Sequence, residues 1–210
     1  MNNKTADRTT APESNSDKTQ PRNYRPALTF YHANGKGTGS VASFETIPAT
    51  SERDGAVFLS LAQQKSVASG SAEQGNRQHA TFDWANRLTV KLNFGDLCQI
   101  LSVLKGSSTT INDGKGLYHD NRNTTTIINL TLQTEPCHGH SLEISRRSKS
   151  GGDPASRVRI LFNAAEAYGL GVVLEQTLSL LAFGIPHDFR QSAVSTPTPT
   201  ETDEDETPGF

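Results

Sequence analysis

The chain runs through one construction twice. Short segments of alternating apolar and polar residues lead into a single helix, and then the series repeats. In the first half, residues 27–31, 39–47, 56–62 and 87–92 read as strands. Their period of two assigns faces. Val57, Leu59 and Leu61 lie opposite Phe58 and Ser60, and Leu88, Val90 and Leu92 point inward while Arg87, Thr89 and Lys91 point outward. A Gly-rich stretch at 34–37 joins or bends the first two strands, and Pro48 with Arg53, Asp54 and Gly55 predicts a turn. Residues 63–80, polar and rich in Ser, Gly and Gln, read as a long loop. Asn93 is a good N-cap, and Asp96 stands where a carboxylate favours a helix N-terminus. Phe94, Leu97, Leu101 and Leu104 follow helical spacing until Gly106.

The second half repeats the plan. Residues 116–119, 124–132, 141–147 and 157–162 read as strands, with Ile128, Leu130 and Leu132 inward and a turn at 136–139. Asn163 followed by Glu166 resembles a capping box. The helix behind it carries Leu170, Val173, Leu174, Leu178 and Leu181 toward a core and stops at Gly184 and Pro186. Hairpin strands closed by one helix, twice, predict an α+β fold of two four-stranded antiparallel sheets, each followed by a helix, with the helices on one side. The second helix is more apolar than a surface helix needs, which points to packing between subunits.

Charge divides the chain into three parts. Residues 1–23 are polar, hold four bases and three acids, and read as a disordered tail. Residues 24–190 form the predicted domain, with 16 Lys or Arg against 14 Asp or Glu. Residues 191–210 hold five acids and no base, and read as a second disordered tail. A mildly basic body with an acidic tail suits a polyanionic partner. The two cysteines, Cys98 and Cys137, form no disulfide framework. Met1 is followed by polar residues with no apolar run, and 169–183 is too short to span a bilayer, so a soluble protein of the bacterial cytoplasm or nucleoid is expected.

The doubled pattern resembles the Whirly family of single-stranded nucleic-acid binders over most of 28–186. The landmarks are Tyr31 followed by Gly35-Lys36-Gly37, then Phe82-Asp83-Trp84, then Leu117-Tyr118-His119-Asp120. Ala165-Glu166 and Ala182-Phe183-Gly184-Ile185-Pro186 complete them. The family's Lys-Gly-Lys-Ala-Ala strand motif stands here as Asn34-Gly35-Lys36-Gly37-Thr38, in which Lys36 matches the second Lys. The resemblance implies two packed antiparallel sheets per subunit, a tetramer assembled through the helices, and single strands bound along the sheet edges with little sequence preference.

The candidate nucleic-acid-binding residues follow from chemistry. At Gly35, Lys36 and Gly37, bare backbone lets a phosphate approach while the lysine neutralises it. The segment is no P-loop, because it lacks the upstream Gly and the Ser or Thr after Lys. Arg87, Lys91, Arg157 and Arg159 are outward bases, with Phe58 among them as a stacking platform. Trp84 and Tyr118 are further aromatic candidates, although each also suits a core. Arg146, Arg147 and Lys149 precede Gly151 and Gly152 and read as a mobile basic hairpin tip. Cys137, His138 and His140 offer metal-ligand chemistry, but three ligands in four residues strain a tetrahedral site and no fourth is evident, so no metal is expected. With no triad order, paired-carboxylate motif or nucleotide fingerprint, neither an enzyme nor a cofactor is expected.

The chain closes on Asp203, Glu204, Asp205, Glu206, Thr207, Pro208, Gly209 and Phe210. An acidic peptide ending in an aromatic and a free carboxylate suits capture by a protein with an apolar pocket and a basic rim. It resembles the tail of bacterial single-stranded DNA-binding proteins, with Gly209 inserted before the last residue. The sequence thus predicts a sequence-independent single-stranded DNA-binding protein. It would coat and protect strands in replication, recombination or repair, and recruit DNA-processing proteins through its tail. An RNA-annealing factor or transcription regulator on the same fold is the alternative, since strand-binding sheets need not reject RNA. A purely structural interaction module using the tail alone is a third reading.

Overall fold

The computed structural model describes residues 26–70, 77–135, 138–151 and 154–185. The tails assigned to 1–23 and 191–210, Cys137, and every tail docking residue from Asp203 to Phe210 lie outside them. The first sheet contains β1 (Ala27–His32), β2 (Ser40–Ile47), β3 (Ala56–Ser66) and β5 (Leu88–Leu92), with β4 (Thr81–Phe82) added at the far end of β3. The second contains β6 (Leu117–Asp120), β7 (Thr124–Gln133), β8 (Gly139–Ser148) and β9 (Ser156–Asn163) in sequential order. All pairings are antiparallel. Each sheet leads into one helix: α1 (Phe94–Leu104) and α2 (Ala164–Phe183). This is the α+β architecture expected from the doubled pattern.

Both helix starts are full capping boxes. Asn93 Oδ1 accepts from Asp96 N at 2.9 Å while Asp96 Oδ2 accepts from Asn93 N at 2.9 Å. Asn163 and Glu166 repeat the exchange at 2.9 and 3.0 Å. Two orphan backbone donors are thereby satisfied where each last strand turns into its helix.

One core joins the halves. Val57, Leu59 and Leu61 of β3 and Leu88, Val90 and Leu92 of β5 meet Ile128 and Leu130 of β7, Ile144 of β8 and Phe162 of β9. Phe30 of β1 stands edge-on to Phe162, with ring centroids 5.0 Å apart. The helices pack on each other and carry an ion pair between Lys105 and Glu175. Gly55, at the β2–β3 turn, sits against α2. A Cβ there would lie 2.5 Å from Leu181 Cα, and nearby Ala49 N donates to Leu180 O at 2.9 Å. Among the described residues no helix is long and apolar enough to cross a membrane.

Several sequence expectations shift. The loop expected over 63–80 begins later, because β3 continues to Ser66 and Gln64 is buried. Ser69 and Gln78 also pair as a bridge, so backbone pairing replaces part of that loop. On α1, Leu97 and Leu101 are buried as expected and Ile100 and Val103 join them, while Phe94, one residue after the cap, is exposed. On α2, Leu170, Leu174 and Leu181 are buried, Leu178 is partly buried, and Val173 faces out. Each residue turns the helix by about 100°, and Val173 falls at the edge of the face that Leu170, Leu174 and Leu181 bury.

Candidate nucleic-acid interface

The Gly-rich segment is a braced turn. Asn34 Oδ1 accepts from Lys36 N at 3.0 Å and Thr38 N at 3.1 Å, and Gly37 adopts a φ of 72° that favours glycine. Gln64 clamps the turn from beneath. Its Oε1 accepts from Asn34 N at 2.9 Å and Gly39 N at 3.1 Å, and its Nε2 donates to Asn34 O and Ser66 O at 2.9 Å. A Cβ on Gly39 would lie 2.1 Å from His32 O and 2.3 Å from Gln64 Oε1, so only glycine fits. Lys36 is presented at the exposed tip of this turn, with Gly35 beside it in open space. Sequence reasoning missed Gln64 and Gly39. Gln64 sat in a stretch assigned to loop, and its four-bond clamp connects residues 30 positions apart.

The outer face of the first sheet carries an aromatic hollow of about 380 Å³ that brings together Phe58, Trp84 and Arg87, with Ser43, Ser60 and Thr89 in its walls. Phe58 gets there by the β3 alternation that buries Val57 and Leu59. Trp84 opens a 3-10 turn (Trp84–Asn86) capped by Asp83. Asn86 Nδ2 donates to Asp83 Oδ2 at 2.8 Å, and this bond foremost holds the Asp83 carboxyl below the usual carboxylate range. Arg87 Nη1 donates to Trp84 O at 2.9 Å, fixing the arginine beside the indole. Lys91 is exposed and directly opposite Phe58 in register, outside the walls of the hollow. Tyr31 and Phe82 form an aromatic pair on the same sheet, with centroids 5.5 Å apart.

Arg157 and Arg159 point outward from β9, as its alternation requires, because Val158 and Ile160 are buried. They line a hollow of about 520 Å³ with Gly37, Thr38, Gly39 and Glu143, so the glycine turn of the first sheet meets the arginines of the second. Arg157 Nε lies 3.3 Å from Glu143 Oε1, and Gln63 Nε2 donates to Arg157 O at 3.1 Å across the sheet junction. Arg157 also borders a third hollow, of about 460 Å³, with Tyr118, Arg146 and Arg147. Tyr118 is exposed there, not in the core.

The basic hairpin tip does not form as expected. Arg146 lies within β8 and binds the two sheets together, its Nε donating to Thr126 Oγ1 at 3.0 Å and its Nη2 to Thr89 O at 2.5 Å. Lys149 is paired with Asp120 at 2.6 Å, and that bond first, then one from Thr125, holds the Asp120 carboxyl below its usual range. Of the three, Arg147 and Lys149 are exposed, Lys149 within its ion pair. The hollows are nevertheless neighbours, because the backbone carbonyl of Thr89, in the wall of the aromatic hollow, accepts from Arg146, and Arg157 borders both arginine-lined hollows.

His140 is buried under α1, with Nε2 3.3 Å from Val103 O, and belongs to the packing. His138 is exposed. Among the described residues no three His, Cys, Asp or Glu side chains gather as a metal site would need.

No family model matches the chain, and no curated protein matches it in sequence. Solved structures do. The chain is similar to WHY1 from Arabidopsis thaliana, with a TM-score of 0.59 and 17% identity over 82% of this chain and 93% of that one. WHY3 from the same plant matches with a TM-score of 0.55 and 16% identity over 82% of this chain and 96% of that one. The plant transcriptional regulator PBF-2 matches with a TM-score of 0.54 and 16% identity over 76% of this chain and 83% of that one. At this identity the likeness is one of fold: the chain has a Whirly-like fold.

Proposed function

We propose that the chain binds single-stranded nucleic acid along the path of hollows on the outer faces of its two sheets. The observation that carries the reading is the gathering of Phe58 from β3 with Trp84 and Arg87 from the capped turn in one open hollow. Two half-buried aromatic rings opening onto one hollow beside a fixed guanidinium can stack bases and neutralise phosphate without demanding a sequence. Lys36 on its braced turn, Lys91, Arg157 and Arg159 extend the positive track. Stacking of this kind needs bases free of a duplex, so single strands are the substrate class, and DNA is the form we favour. The role is stoichiometric: coating and protecting exposed strands in replication, recombination or repair, with the Asp203–Phe210 peptide recruiting processing proteins. A second reading, transcription regulation, draws support from the fold shared with PBF-2.

The protein would act as an oligomer, a tetramer in our reading. Tyr168, Val172, Val173 and Phe183 are exposed on α2, with Tyr168 76% and Phe183 72% accessible. Such an apolar stripe suits burial against another copy. The deciding experiment titrates the protein with single-stranded and duplex oligonucleotides of one sequence, DNA and RNA, over a range of salt. Single strands should bind far more tightly, with affinity falling as salt rises. Equal affinity for duplex, or no binding at any salt, removes the reading.

A further inference from the structure

A different hollow has the opposite character. On the outer face of the second sheet, about 300 Å³ is lined by Asn129, Thr131, Gln133, Ser141, Glu143 and Arg159. No aromatic side chain contributes to it, so it offers hydrogen bonds where the first-sheet hollow offers stacking.

Three of these residues stand in one cross-strand row. Asn129 of β7 pairs in register with Glu143 of β8, which pairs with Arg159 of β9. Strands lie about 4.8 Å apart, so the row spans about 10 Å, the scale of a purine and its hydrogen-bonding groups. Among the described residues, the side chains of Asn129, Thr131, Gln133, Ser141 and Arg159 make no hydrogen bond within the chain. Glu143 uses one oxygen on Arg157 at 3.3 Å, which orients the carboxylate.

The rim is built with some strain. Ile111 is 1% accessible and anchors a turn in which Asn112 and Asp113 take φ values of 48° and 52°, a backbone region that non-glycine residues seldom occupy. Gly116 leaves room for the amide, because a Cβ there would lie 2.3 Å from Asn129 Oδ1.

We propose that this hollow reads one base of the bound strand and that the base is guanine. This rests on the single-strand-binding reading above. A carboxylate accepts only and a guanidinium donates only. Guanine presents two adjacent donors, N1–H and the N2 amino group, for Glu143, and the acceptors O6 and N7 for Arg159. Adenine, cytosine and thymine each offer the carboxylate fewer donors along one edge. The grip on the strand stays broadly sequence-tolerant through the aromatic hollow, with a preference imposed at one position.

The test is a set of anisotropy titrations at fixed salt with oligothymidine and with the same oligomer carrying one internal guanine, adenine or cytosine. The guanine oligomer should bind about tenfold more tightly than the other three, within the range for one bidentate base contact. Glu143→Gln should collapse the guanine preference. Asn129→Ala, which leaves the charged pair intact, should reduce it and guards against a folding defect in the first variant. Equal binding of all four oligomers, or a guanine preference that survives Glu143→Gln, overturns the inference and leaves the general reading standing. Failure of every oligomer to bind overturns both.

Discussion

His32 Nε2 lies 2.8 Å from Glu166 Oε1, so the end of the first strand is tied to the first turn of the last helix. The other half mirrors it: His119 Nε2 of β6 lies 3.3 Å from Asp96 Oδ2 of α1. Each capping carboxylate serves its own helix and also takes a histidine from the first strand of the other half. The cross-ties connect the two repeats at points 134 residues apart in one case.

Glu166→Ala therefore removes a cap and a cross-tie together. Loss of a cap alone costs about 1 kcal/mol, and the cross-tie adds to that. His32→Ala should cost less, and the double variant should cost less than the sum, because the two changes share one contact. Chemical denaturation of the four proteins checks this, and strict additivity would show that the histidine contributes nothing through Glu166.

Base stacking and charge should separate in the interface. Phe58→Ala or Trp84→Ala should weaken single-strand binding by about 1–3 kcal/mol while leaving its salt dependence nearly unchanged. Lys36→Ala and Lys91→Ala should instead each lower the slope of log affinity against log salt by about one. The same titrations read both quantities. An aromatic variant that alters only the slope would place the bases elsewhere.

The buried His140 sets a pH dependence. Burial pushes its pKa below the ordinary 6.5, with nearby His138 adding, against the opposing hydrogen bond to Val103 O. The unfolded chain then binds more protons than the native one between the depressed value and 6.5, so stability rises with pH through that window and is lost on acidification. Melting temperatures should fall as pH drops below 6.5, and His140→Leu should flatten the fall. An unchanged profile in that variant would assign the acid sensitivity to other groups.

The tail allows two deletions with different outcomes. Removing Phe210 should abolish docking of a processing protein and leave strand binding intact, because one buried aromatic anchor is commonly worth about 2 kcal/mol or more. Removing 201–210 should also raise strand affinity slightly at low salt, since five acids no longer compete for the basic face. Pull-downs with full-length and truncated protein decide between a docking peptide and a solubility segment.

Eight of the nine strands among the described residues, their faces and both helix starts are legible in the chain, while the short β4 is not. Those features are written in local periods: two for Val57, Leu59 and Leu61, and three residues from Asn93 to Asp96 and from Asn163 to Glu166. The sequence also put Phe58, Arg157 and Arg159 on outer faces, because inward and outward positions alternate without regard to the partner sheet. What those residues meet depends on how the two sheets and their turns assemble. Trp84 and Arg87 join Phe58 because the short turn capped by Asp83 folds over the β3 face. Gln64 became the clamp of the glycine turn, and Arg146 became a tie between sheets instead of a free charge. The row Asn129, Glu143, Arg159 exists only through strand register. Register and sheet packing are set by contacts between residues far apart in the chain, and no local period encodes them.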